Sequence, residues 1–140
     1  MRALLAISLL CGGLTACAIP SPFAIPVIPG APGDLAADRK ACDQSYPAAP
    51  GNYLPHAQCV NAAVERDAIP YSRHPDLVRL QEQLRLKYSG MIDRGALSPQ
   101  AGARKMAEAD EIVNAAIRDS DYGRVAAAGH RRDRLEEMLQ

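Results

Sequence analysis

The clearest periodicity in the chain starts at Pro75. Leu77, Leu80, Leu84, Tyr88 and Met91 recur at steps of 3, 4, 4 and 3, a single apolar stripe, and a proline suits the first position of the helix that the stripe predicts. Gly95, directly after Arg94, reads as the glycine that ends it. Ser98-Pro99 then supplies an N-cap and a first-turn proline for a second long helix, where Met106, Ala109, Val113 and Ala116 step by 3, 4 and 3 as far as about Ser120. So short a connection predicts that these two helices lie antiparallel. Asp76–Arg79 and Glu82–Arg85 stand three residues apart on the first of them and are expected to pair along its surface.

Upstream, Asp34 is an N-cap for a short helix from Leu35 to about Ser45. Pro47, Pro50, Gly51 and Pro55 predict a loop from Tyr46 to Pro55, and a second short helix is expected from about His56 to Ala68, ended by Ile69-Pro70. Downstream, Gly123 interrupts the pattern. Residues 123–140 are helix-prone but sparsely apolar, with Leu135, Met138 and Leu139 as the large residues, and read as a docking helix, a partner-binding arm or a frayed tail. No alternating Val/Ile/Tyr run and no Asn-Gly turn marks a strand. The expected fold is therefore all-α.

The first 33 residues have a different character. A lone cation, Arg2, precedes an apolar run from Ala3 to Leu10 and then small residues, the arrangement of a secretory signal. The run is shorter than the roughly 20 residues a spanning helix needs, and it gives way to Gly12, Gly13 and five prolines. Within this exit region Leu14-Thr15-Ala16-Cys17 resembles the lipobox of bacterial lipoproteins: an aliphatic residue, two small residues, then cysteine. The resemblance covers the first seventeen residues only. It implies removal of 1–16, a diacylglyceryl thioether on Cys17 and acylation of the new N-terminus, and acyl chains in that number hold a protein stably on a membrane. Ala18, in place of the aspartate that retains some lipoproteins at the inner membrane, implies the outer membrane of a diderm envelope. Prolines 20, 22, 26, 29 and 32 then make residues 17–33 a tether of polyproline character. The folded head is expected over 34–122.

Cysteine usage follows from that reading. Cys11 leaves with the signal and Cys17 carries lipid, so Cys42 and Cys59 remain, and two cysteines of an exported chain are expected to pair. Their positions, near the end of one short helix and the start of the next, suit a bridge across the connecting loop. The predicted head is thus a small bundle of two short disulfide-linked helices and a long antiparallel hairpin. With no Trp and one Phe, its core is built from Leu, Ile, Val, Met and many Ala, and such a core gains from a covalent staple. Without Arg2 the chain keeps 15 basic against 16 acidic residues, so no global electrostatic case for nucleic acid arises.

No nucleophile elbow, zinc-protease helix, P-loop or dinucleotide glycine fingerprint is present. Ser72, His74 and Asp76 supply the residue types of a nucleophilic triad, but their close spacing reads as a helix-start turn. His56 lies three residues before Cys59, yet there is no Cys-x-x-Cys and no second nearby histidine, so no metal and no cofactor is expected. Arg124, His130, Arg131, Arg132 and Arg134 cluster, but Asp133, Glu136 and Glu137 interleave, and a self-paired helix is expected. The expectation is a non-enzymatic envelope lipoprotein, held to the membrane at Cys17, acting as a structural or protein-interaction module. Its contact surface would be a helix face or the stapled loop with Tyr46, Tyr53 and Leu54. The alternative is a binding inhibitor of a cell-wall hydrolase that inserts that loop into the enzyme's cleft. Neither nucleic acid nor a small-molecule substrate is among the expected partners.

Overall fold

The computed structural model describes residues 33–140. The signal segment 1–16, the lipidation candidate Cys17 and all of the tether but Gly33 lie outside the described residues. Those described form five helices and no strand: α1 (Leu35–Ser45), α2 (Tyr53–Asp67), α3 (Pro75–Asp93), α4 (Pro99–Asp121) and α5 (Val125–Leu139), with a 3₁₀ turn at Ile69–Tyr71 between α2 and α3. None is long and apolar enough to cross a membrane.

The helix ends follow local chemistry. The Asp34 carboxylate accepts from the N–H groups of Ala36 and Ala37 at 3.1 and 3.0 Å, and the Ser98 hydroxyl accepts from Ala101 at 3.2 Å. Gly95 and Gly123 both sit at φ +70° and close the same device, a Schellman motif. After α3, Gly95 N–H donates to Ile92 and Ala96 N–H to Met91; after α4, Gly123 N–H donates to Ser120 and Arg124 N–H to Asp119.

Two apolar clusters hold the helices together. The larger joins Leu77, Leu80, Leu84 and Tyr88 of α3 with Ala109, Val113 and Ala116 of α4 and Leu135 of α5. Residues of both stripes read from the sequence belong to this one cluster. Leu135 is fully buried, so α5 is docked on α3 and α4. The smaller cluster joins Cys42 of α1, Val60 and Val64 of α2, Ile69 of the 3₁₀ turn and Val78 of α3. Within it Cys42 and Cys59 form a disulfide with Cα atoms 5.7 Å apart.

Helix α2 starts at Tyr53, three residues earlier than Pro55 suggests. A proline in a first turn breaks nothing, because the first N–H groups of a helix have no partner inside it. Here those donors are met from outside. Asp93, the last residue of α3, accepts from Gly51 at 2.8 Å, Tyr53 at 3.2 Å and Leu54 at 2.7 Å, while Pro55 has no N–H to satisfy. His56 N–H then makes the first ordinary helical bond, to Asn52.

Of the charges expected to pair along α3, Asp76, Arg79 and Arg85 bridge helices instead. Asp76 meets Arg132 of α5 at 2.6 Å, Arg79 meets Glu65 of α2 at 3.1 Å, and Arg85 donates to Asn61 of α2. An i,i+3 pair on one exposed face has little to gain. A neighbouring helix presents its carboxylate or amide to a guanidinium already half out of water.

Candidate functional site

The stapled loop is one candidate. It is short, running from Tyr46 to Asn52 between α1 and α2, and is held twice, by the disulfide and by Asp93. The Asn52 side chain also donates to the Pro47 carbonyl at 3.0 Å. Burial works against the Asp93 anion, but the N–H groups of Leu54, Gly51 and Tyr53 outweigh it and hold the carboxyl below its ordinary range. Tyr53 and Leu54 are not displayed on this loop. Both belong to the first turn of α2 and are half-buried, because the Asp93 cap draws that turn against the end of α3. Tyr46 remains exposed. Replacing Asp93 with alanine is expected to cost about 1 kcal/mol, the usual scale of a lost cap. It should also speed amide exchange at Gly51, Tyr53 and Leu54 while the centre of α3 keeps its protection.

The residues singled out for reactivity resolve into fastenings. Ser72 Oγ accepts from the His74 N–H at 3.1 Å, the helix-start turn. The His74 ring meets Asp121, at the end of α4, at 3.0 Å; Arg73 reaches the same carboxylate at 3.1 Å, and Asp76 is engaged by Arg132. The His74 hydrogen bond and the nearby Arg73 hold the Asp121 carboxyl low. Ser72, His74 and Asp76 thus do not converge. His56 meets Asp43 at 2.7 Å, and the neighbouring Cys59 sulfur is taken by its disulfide. Among the described residues no group of three or more His, Cys, Asp or Glu side chains could hold a metal ion.

The arginines of α5 are paired. Asp119 of α4, whose side chain is 6 % exposed, receives Arg131 at 2.7 Å and Arg124 at 2.6 Å. Those two hydrogen bonds hold its carboxyl below the ordinary range. Arg132 takes Glu136 along the helix at 3.1 Å as well as Asp76, and Arg134 takes Glu137 at 2.8 Å and Glu108 at 3.6 Å. The cluster neutralises itself and ties α5 to its neighbours.

A second polar face of α3, beside the apolar stripe, was not legible as such from the sequence. Gln81 and Glu82 are buried and Arg85 is largely so. Gln81 donates to Asp110, a buried residue of α4, and Asn61 of α2 donates to the Glu82 carbonyl at 3.1 Å. Burial raises the Asp110 carboxyl, against the Gln81 hydrogen bond and the charges of Arg85 and Arg39. Burial also lowers Arg85, helped by the like charge of Arg39 from α1. Three buried polar atoms of this seam, Arg39 Nε, Glu82 Oε1 and Asp110 Oδ2, have no hydrogen-bond partner. Two grooves of about 380 and 340 Å³ lie elsewhere, one lined from α4 and α5 by Ile112, His130 and Arg131, the other by Lys87, Tyr88 and Lys105 of α3 and α4 with Glu137 of α5. Neither is lined by Glu82, Arg85 or Asp110.

A scan against protein-family models finds no match to this chain, and searches of the curated proteins and of the solved structures find none either.

Proposed function

We propose that this chain is a lipid-anchored envelope lipoprotein whose helical head is a structural or protein-interaction module rather than an enzyme. The observation that carries the reading is the Cys42–Cys59 disulfide, which sits inside an apolar cluster of the fold. Structural disulfides persist in oxidising compartments outside the cytosol. That is where a chain opening on an apolar leader and Leu14-Thr15-Ala16-Cys17 would be delivered. On this reading α1 and α2 are a stapled pair and α3 and α4 an antiparallel hairpin. The lipid on Cys17 holds the head at the envelope, with Ala18 directing it to the outer membrane, and the partner is another envelope protein. The His74 and arginine clusters are engaged in internal pairing, which supports a scaffold more than a reactive site.

Replacing Cys17 with serine should abolish incorporation of labelled palmitate and release the chain from the membrane fraction. Undiminished labelling of the serine variant would remove the anchor from the proposal. Crosslinking in cells, followed by identification of what is captured, tests the interaction role. A reproducible envelope partner lost on Tyr46→Ala would support the loop as the contact, and a chain that crosslinks to nothing would count against the module.

The double clamp on the loop favours one second reading, a binding inhibitor of a cell-wall hydrolase, because a preorganised loop loses little entropy on entering a cleft. Of its three expected contact residues, Tyr46 alone remains displayed. Inhibition of lysozyme by the intact chain, lost on reduction of the disulfide, would favour this reading over scaffolding.

A further inference from the structure

Glu82 occupies an unusual position for a carboxylate. It lies on the face of α3 turned to α2, its residue is 5 % exposed, and its Oε1 has no hydrogen-bond partner. The cations nearest in sequence are engaged elsewhere. Arg79 forks onto Glu65 of α2 at 3.1 and 3.4 Å, and Arg85 donates to Asn61 of α2. Glu65 thereby brings a like charge to Glu82 from the facing helix. Arg79 and Arg85, on its own helix, oppose this by charge alone. From α4, Asp110 acts on Arg85 and is hydrogen-bonded to Gln81; from α1, Arg39 acts on Arg85. Neither α5 nor the 3₁₀ turn contributes a charge that acts on Glu82.

We propose that the α2–α3 seam is a proton-sensitive latch in which Glu82 carries the proton, closed when the carboxyl is neutral and loosened when it ionises. A neutral carboxyl can stay in this seam at low cost and donate a hydrogen bond. An anion there has one oxygen unmet and Glu65 across the interface, and a buried charge without a bonded partner weakens the packing around it. What the latch holds is the stapled half of the molecule. Val78, one turn before Glu82, packs on Val60 and Val64 of α2, so a loosened seam uncovers the cluster around the disulfide. The placement agrees with a carboxyl pushed up to about 7, first by burial and then by Glu65.

The sign of the effect is fixed by linkage. A carboxyl whose pKa is raised on folding binds more protons in the folded state, so stability is full below about 4.5 and falls as pH rises from there through about 7. The test follows the Glu82 carboxyl carbon by NMR in the intact chain, alongside amide exchange of α2 and α3 normalised for intrinsic rates. Expected are a midpoint near 7 and a loss of protection for seam amides of up to roughly seventyfold between about pH 5 and pH 8. Glu82→Gln should remove most of that loss, which isolates the share carried by this carboxyl. Glu65→Gln should shift the Glu82 midpoint downwards. A midpoint below about 5.5 would overturn the latch. So would a Glu82→Gln protein with the full wild-type pH dependence. Should Glu82→Gln fail to fold, the carbon titration of the wild type and of Glu65→Gln decides the matter.

Discussion

Replacing Leu135 with alanine is expected to destabilise the protein by about 2–5 kcal/mol, the range for emptying a fully buried leucine site. It should do so unevenly. Leu135 is the one fully buried large residue of α5 and inserts between the stripes of α3 and α4; Met138 and Leu139 pack only partly against the same cluster. A helix of 15 residues with a glycine at position 129 is marginal once undocked. Truncating its anchor should therefore release α5 before the rest of the fold. Hydrogen exchange should show α5 amides losing protection while the centres of α3 and α4 keep most of theirs, and the exposed face of Leu84 and Tyr88 should promote self-association. If α5 keeps its protection, the ion pairs of Arg124 and Arg131 with Asp119 hold it, and the leucine does not. Both arginines of those pairs are about half exposed, which limits what the pairs contribute.

Removal of the disulfide is the second large effect. Cys42 and Cys59 are 17 residues apart in sequence, and the bridge restricts the unfolded chain by an amount equivalent to about 3 kcal/mol. For a head of this size that corresponds to a fall in Tm on the order of 10–15 °C for Cys59→Ala in oxidising buffer. Under strong reductant wild type and variant should melt close together, since both then lack the bridge. Alanine is preferable to serine because the sulfur lies in the apolar cluster of Val60, Val64, Ile69 and Val78, where a new hydroxyl would add its own desolvation cost. A wild-type melt indifferent to reductant would overturn the staple.

Much of this architecture can be read from one-dimensional patterns because it is governed by local chemistry. The stripes Leu77–Tyr88 and Met106–Ala116, the caps Asp34 and Ser98, and the stops at Gly95 and Gly123 each depend on residues within a few positions of one another. The departures from that pattern share a cause. Pro55 reads as a breaker because its remedy, Asp93, lies about 40 residues away. Gln81, Glu82 and Arg85 read as solvated because polar residues usually are, and only the arrival of α2 and α4 on that side of α3 buries them. A signal was nevertheless present. Asp93, Asp119 and Asp121 all stand in the last turn of a helix, where the backbone dipole disfavours an anion. Each is engaged by another element: the α2 N-terminus, the arginines of α5, and His74 with Arg73.

By itself, then, the order of residues determined the all-helical class, the lengths of the two long helices, and the cysteines available for a bridge, because turns, caps and apolar periodicity act over one or two helical turns. Only the tertiary structure decided that α5 docks with Leu135 as its fully buried anchor, that Asp93 starts α2, and that Glu82 is buried without a bonded counter-charge. Those outcomes depend on which surfaces meet across tens of residues, and a side chain's surroundings exist only after its neighbours have packed.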